Sequence, residues 1–134
     1  MNQRGARVAI KSDQDIVAAR QKGRALAAEI GFSAMDATLI ATAISELARN
    51  IVAYARVGEI ELRAIDGCSR EGIVVIASDD GPGIRDVRQA MRDGFSTSGS
   101  LGLGLPGVRR LMDEFEIASE PGKGTRVVTK KWRQ

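Results

Sequence analysis

The sequence predicts an α+β fold: a two-layer sandwich whose mixed, mostly antiparallel sheet carries helices on one face. Three observations predict it. Helical periodicity clusters early and in the middle of the chain. Alternating strand patterns sit at the centre and the end, joined by short turns that suit hairpins. Between them Ile73, Val74, Val75, Ile76 and Ala77 form a continuous apolar run, the pattern of a central strand buried on both faces.

Residues 7–11 alternate and read as a first strand. Ser12 then opens a helix, with Asp15 completing a capping box. Ile16, Ala19, Gly23, Leu26, Ala27 and Ile30 form its inward face, and Gly31 is a natural stop. A long second helix spans residues 36–55. Its stripe is Ile40, Ile44, Leu47, Ile51 and Tyr54, recurring at spacings of four, three, four and three. Ser33 and Asp36 form a second capping pattern, and Gly58 lies just past the end. So little chain separates these two helices that they should be neighbours.

Residues 58–65 alternate Ile60, Leu62 and Ala64 against Glu59, Glu61 and Arg63, a strand with one wet face. A turn from Asp66-Gly67 to Gly72 leads into the apolar run, so these two strands should form an antiparallel hairpin. A short helix over residues 86–93 follows, with Val87 and Met91 inward. Residues 94–104 are small and aperiodic, a candidate lid. The next helix has Pro106 in its first turn and a stripe of Val108, Leu111, Met112 and Phe115. Residues 116–119 and 125–132 read as two last strands around a turn at 120–124. There is no repeat, linker or low-complexity segment, so residues 1–134 are expected to form a single domain.

Composition closes off several classes. With 43% apolar and 28% charged residues the chain is ordinary for a globular protein, and its few aromatics leave an aliphatic core. A net charge of +3 without a dense basic run does not argue for nucleic acid. One cysteine, Cys68, excludes an internal disulfide and reads as a bystander in a polar turn. The absence of histidine excludes a His-based triad, a His metal site and a phosphohistidine. No signal peptide and no apolar run near 18 residues is visible, so no membrane role is expected and the expected location is cytoplasmic.

Four features can carry chemistry. Glu46 and Asn50 lie one turn apart on the second helix, beside its apolar stripe, where a cleft wall would be. A carboxylate can take a proton and an amide oxygen can ligate Mg²⁺; the plainer alternative is two solvated residues at the stripe's edge. Asp79, Gly81 and Gly83 follow the central strand as D-x-G-x-G. Glycines there admit positive φ and close approach to a ligand, and the carboxylate can accept from an amine such as that of adenine. A plain turn would look the same. Gly99-x-x-Gly102-x-Gly104 leads into a helix and could cradle an anion. It is neither a Walker loop nor a Rossmann fingerprint, and a flexible linker is its alternative. Gly124 and Thr125 stand between the last strands, where a simple hairpin turn is also possible.

The order of these features is more specific than any one of them. Glu46 and Asn50, then Asp79, Gly81 and Gly83, then Gly102 and Gly104, then Gly124 and Thr125 make a constellation that resembles the GHKL ATP-binding superfamily and its Bergerat fold. Residues 41–50, 93–99 and 104–115 narrow the resemblance to the RsbT-type switch serine/threonine kinases of the bacterial stressosome, close to the anti-sigma-factor kinases. It runs from about Asp15 to Trp132; Ser100 stands where relatives often carry glycine. The resemblance implies ATP and Mg²⁺ as cofactors. It implies Glu46 as general base, Asn50 as the Mg²⁺ ligand, Asp79 as the adenine selector and Thr125 as its support. It implies that Gly81 and Gly83 admit the nucleotide and that Gly102 and Gly104 close over the phosphates. The implied partners are STAS-domain scaffold or antagonist proteins, and then a PP2C-type phosphatase activated by binding. The alternative function is an anti-sigma factor that sequesters a sigma factor.

Overall fold

The computed structural model describes residues 4–67, 69–83, 91 and 104–134. Five strands form one sheet: β1 (Gly5–Ile10), β2 (Gly58–Asp66), β3 (Glu71–Asp79), β4 (Glu114–Glu120) and β5 (Gly124–Trp132). Their order is β1-β2-β3-β5-β4, and every neighbouring pair is antiparallel. Among the described residues three α-helices, α1 (Asp13–Ile30), α2 (Ala34–Asn50) and α3 (Gly104–Leu111), complete the α+β architecture.

β3 organises the layers. Ile73, Val75 and Ala77 alternate onto one face and join Ile60, Leu62 and Val127 in the core shared with Ile16, Leu26, Ile40, Ile44, Leu47 and Val108 of the helices. Val74 and Ile76 point to the other face and are also buried, yet lie outside that core. Arg63 and Lys130 stand directly opposite Val74 in register, and Glu61 opposite Ile76. Their aliphatic stems can shield the apolar seam while their heads reach water. Ion pairs tie this layer together, Arg63 to Glu61 at 3.0 Å and Arg7 to Glu59 and Glu61 at 3.8 Å.

The helix ends follow local chemistry, with one exception to expectation. At α2, the Ser33 hydroxyl accepts the Asp36 N–H at 3.1 Å, as the capping pattern predicts. At α1 the Ser12 side chain does not cap. Instead the Asp15 carboxylate reaches back, accepting the Lys11 N–H at 2.8 Å and the Ser12 hydroxyl at 3.4 Å. Gly31 ends α1 at φ 109°, its N–H shared between the Ala27 and Ala28 carbonyls. Gly23 sets the spacing of the two helices. A Cβ there would lie 2.1 Å from Ile44 Cδ1, so a side chain at this position would force the end of Ile44 to move.

The end of α2 departs from the predicted single helix. The α-helix stops at Asn50, and Ile51–Ala55 continues as one π-helical turn. The Arg56 N–H closes it on the Ile51 carbonyl at 2.7 Å. This wider turn breaks the 3.6-residue periodicity. Tyr54, predicted inward, is therefore 48% exposed, while Ile51 stays buried. Gly58 is not the stop either. It begins β2, and the chain reverses at Arg56, which holds φ 71° and ψ −41° without being glycine.

Two other boundaries move. α3 ends at Leu111, and the Asp113 N–H already donates to the Lys130 carbonyl at 2.9 Å. Phe115 thus belongs to β4 rather than to the helix stripe, although it still packs on the core. Pro106 is fully buried in the first turn of α3. The predicted short helix at 86–93 lies outside the described residues except for Met91, which packs on the core. Cys68 lies outside them too, as does the predicted lid up to Gly104.

Arg56 should be a point of strain. A positive φ in a non-glycine residue costs about 1–3 kcal/mol, more than the entropic cost of glycine, about 0.5–1 kcal/mol. Arg56→Gly should therefore raise stability by about 1 kcal/mol in urea denaturation. A drop would mean that the arginine side chain contributes more than its backbone costs.

Candidate functional site

The antiparallel register gathers one group of candidates at a single end of the sheet. Gly58 stands opposite Asp79, Asp79 opposite Thr125, and Thr125 opposite Ser119, a row across four strands. Asp79 is half-buried, and its Oδ1 accepts the Gly81 N–H at 2.9 Å. That Asx-type bond turns the chain sharply at the strand's end. Beside it the Ser119 hydroxyl donates to the Gly124 carbonyl at 3.0 Å and lies 2.8 Å from Thr125 Oγ1. With its only proton spent on Gly124, Ser119 must accept from Thr125, whose Oγ1 keeps its lone pairs for a donor.

The glycines make close contacts, and those seen here are protein on protein. A Cβ at Gly81 would lie 2.5 Å from Ala55 Cβ, so the loop after β3 rests on the π turn that ends α2. Gly83 holds φ 77°, with no room for a Cβ beside the Glu120 carbonyl. The Gly122 N–H donates to the Pro82 carbonyl at 2.6 Å. Gly124 holds φ 95°, and its Cβ would come within 2.1 Å of the Asp79 carbonyl oxygen. The D-x-G-x-G loop is thus clamped between the π turn and the β4–β5 turn.

The second group sits between helices. Glu46 is 6% exposed, more buried than an edge residue would be. Its Oε1 accepts the N–H of Gly104 at 3.1 Å, from the first residue of α3, at φ 65°. Its Oε2 is ion-paired with Arg49 Nη1. Asn50 is half-buried at the end of α2, where the π turn begins. One short path therefore joins both groups: Glu46 and Asn50 on α2, Ala55 on the π turn, Gly81 against it, then Asp79 and Thr125. Gly102 lies outside the described residues.

Two residues were not singled out from sequence. Arg49 follows Glu46 by three, the spacing at which opposite charges pair on a helix; that signal was available. Ser119 could be found only from the β4–β5 register, which sets it across from Thr125. Among the described residues no group of three or more Asp, Glu, Cys or His side chains could hold a metal by itself. None of their helices is long and apolar enough to cross a membrane.

Residues 11–131 match the model of the histidine kinase-like ATPase domain. The chain is 54% identical over 125 residues to the serine/threonine-protein kinase RsbT of Bacillus subtilis strain 168, covering 93% of this chain and 94% of that one. It is 36% identical over 120 residues to an anti-sigma F factor of Caldanaerobacter subterraneus subsp. tengcongensis, covering 85% and 82%. An anti-sigma F factor of Thermoanaerobacter sp. strain X514 is 33% identical over the same shares.

The two glycines of the β4–β5 turn should respond differently to alanine. Both hold positive φ, but a Cβ at Gly122 meets nothing within 4 Å while one at Gly124 strikes the backbone of Asp79 and Asp80. Gly122→Ala should cost only the left-handed penalty, about 1–2 kcal/mol. Gly124→Ala should cost more and loosen the pairing at Asp79. Urea titration with amide exchange at Asp79 and Thr125 tests this; equal losses would mean that the backbone contact is soft.

Proposed function

Because the chain belongs to the histidine kinase-like ATPase domain family and is a serine/threonine protein kinase that uses ATP, we propose that it phosphorylates STAS-domain proteins of the stressosome scaffold or antagonist type. Residues 1–134 act as one kinase domain in this reading, supported by the single sheet and single core. The observation that carries the reading is the pairing of a buried carboxylate, Glu46, with Asn50 one turn on, joined by the π turn to Asp79 and Thr125.

Each residue has a role that its chemistry permits. Asp79 and Thr125 form the adenine end. The carboxylate accepts from the exocyclic amine and Thr125 Oγ1 accepts there or through water. Guanine offers a carbonyl at that position and is repelled. Gly81 and Gly83 would admit the base beside their loop, and Gly102 and Gly104 would close over the phosphates. Asn50 would hold Mg²⁺ against the phosphates, where the metal supplies charge neutralisation. Its single amide oxygen fits an ion that takes most of its ligands from phosphate and water.

Glu46 accepts the proton of the incoming serine or threonine hydroxyl. The acceptor oxygen bonds to the γ-phosphorus while the bond to the β–γ bridging oxygen breaks, and ADP leaves. Such transfer is mostly positioning and electrostatics. Phosphorylated substrate then releases the kinase, because the added charge faces Glu46 and the product nucleotide. The freed kinase binds and activates a PP2C-type phosphatase.

Relatives named anti-sigma F factor support a second reading, in which the chain sequesters a sigma factor in a nucleotide-dependent way. Radiolabelled ATP separates the two. With Mg²⁺ and a STAS-domain protein, label should pass to a serine or threonine of that protein. Tight nucleotide-dependent capture of a sigma factor without transfer would favour the second reading. Calorimetry should show ATP binding well above GTP, and Asp79→Asn should abolish it with the fold intact. Glu46→Ala should spare ATP binding and slow transfer by about 10²–10⁴; transfer at the wild-type rate would remove Glu46 from the chemistry.

A further inference from the structure

We infer that Arg49 is a positioning residue for phosphoryl transfer: its guanidinium holds the Glu46 carboxylate in the orientation from which it takes the acceptor's proton. The inference rests on the reading of Glu46 as general base.

The geometry is a carboxylate with a donor on each oxygen. Gly104 N–H holds Oε1 from α3, and Arg49 Nη1 holds Oε2 from the same helix as Glu46, three residues on. Two donors from different elements fix both the position and the plane of the group. An ionised carboxylate offers about four acceptor sites, so a substrate hydroxyl can still bond to either oxygen. Reaction then starts from one orientation rather than from a rotamer search, and misplacement of a reacting group by about 1 Å can cost 10²-fold.

A purely structural pair accounts poorly for this arrangement. Glu46 is 6% exposed, and a carboxylate buried that deeply is costly unless donors reach it, so packing alone gives no reason for an acid at this position. Arg49 itself is 44% exposed, so its guanidinium stands at the rim of the helix layer rather than sealed within it. One end of the pair is buried and the other reaches solvent, which suits a group that must be held while something approaches from outside.

The test uses single-turnover transfer at saturating Mg-ATP to the STAS-domain protein that the kinase labels. Arg49→Ala should lower the rate constant about 10- to 100-fold and leave ATP affinity unchanged. Arg49→Lys, or guanidinium ion added to Arg49→Ala, should recover part of the loss, which a merely structural role would not allow. If Arg49→Ala does not fold, Arg49→Lys carries the comparison, with a partial loss expected. The double variant Glu46→Ala with Arg49→Ala should be no slower than Glu46→Ala alone, because Arg49 acts through Glu46.

Wild-type rate in Arg49→Ala, multiplying losses in the double variant, or a loss confined to the KM for the STAS-domain protein would each overturn the inference. A slow Glu46→Ala beside a fast Arg49→Ala overturns only the role of Arg49. Wild-type transfer by Glu46→Ala overturns the general-base reading and this inference with it.

Discussion

β3 is the constraint on which the other elements depend. It pairs with β2 on one side and β5 on the other and is buried on both faces along most of its length. Side chains alternate, so a slip of one residue would send Ile73, Val75 and Ala77 to the ionic face and Val74 and Ile76 into the helix layer. It would also carry Asp79 to the wrong face and part it from Thr125. The register that buries the core is therefore the register that builds the row Gly58, Asp79, Thr125, Ser119. Packing and site come from one choice.

The helix layer is bound to the site by a different interaction. A carboxylate buried as deeply as Glu46 is costly unless donors reach it. Here the donors are a backbone N–H at the start of α3 and the guanidinium of Arg49. A negative group at a helix start and a positive one in the last turn of α2 also match the two helix dipoles. Glu46 thereby fastens α3 to α2 across 58 residues of sequence. Truncating it to alanine would leave the N–H of Gly104 without this acceptor.

Much of this was legible in the sequence, for identifiable reasons. Period-two alternation at Ile60, Leu62 and Ala64 and the unbroken run at 73–77 gave away the central hairpin, because burial writes itself directly into apolar spacing. Glu46, Asp79, Gly124 and Thr125 stood out because polar and glycine residues interrupt those patterns. The depth at which Glu46 is buried did not stand out, because the α3 N-terminus covers it from far along the chain. Ser119 depended on a pairing register, and Arg49 was readable as half of an ion pair but not as a donor in the site. Tyr54 and Phe115 were misplaced for one shared reason: periodicity is extended past the point where the backbone changes state.

Thr38, Thr42 and Ser45 each return a hydroxyl to the carbonyl four residues back, a bond that tends to bend a helix. The helix then widens into the π turn and closes on the strained Arg56. Strain of this kind persists only where both flanks are fixed. One flank is the Arg56 N–H on the Ile51 carbonyl, and the other is β2, locked at once by Gly58 opposite Asp79. Between them Ala55 is held against Gly81, whose N–H is bound by Asp79. The loop after β3 rests on the π turn, and the π turn follows directly on Asn50. The strained turn therefore links the two halves of the candidate site, helix and sheet end, through one run of contacts.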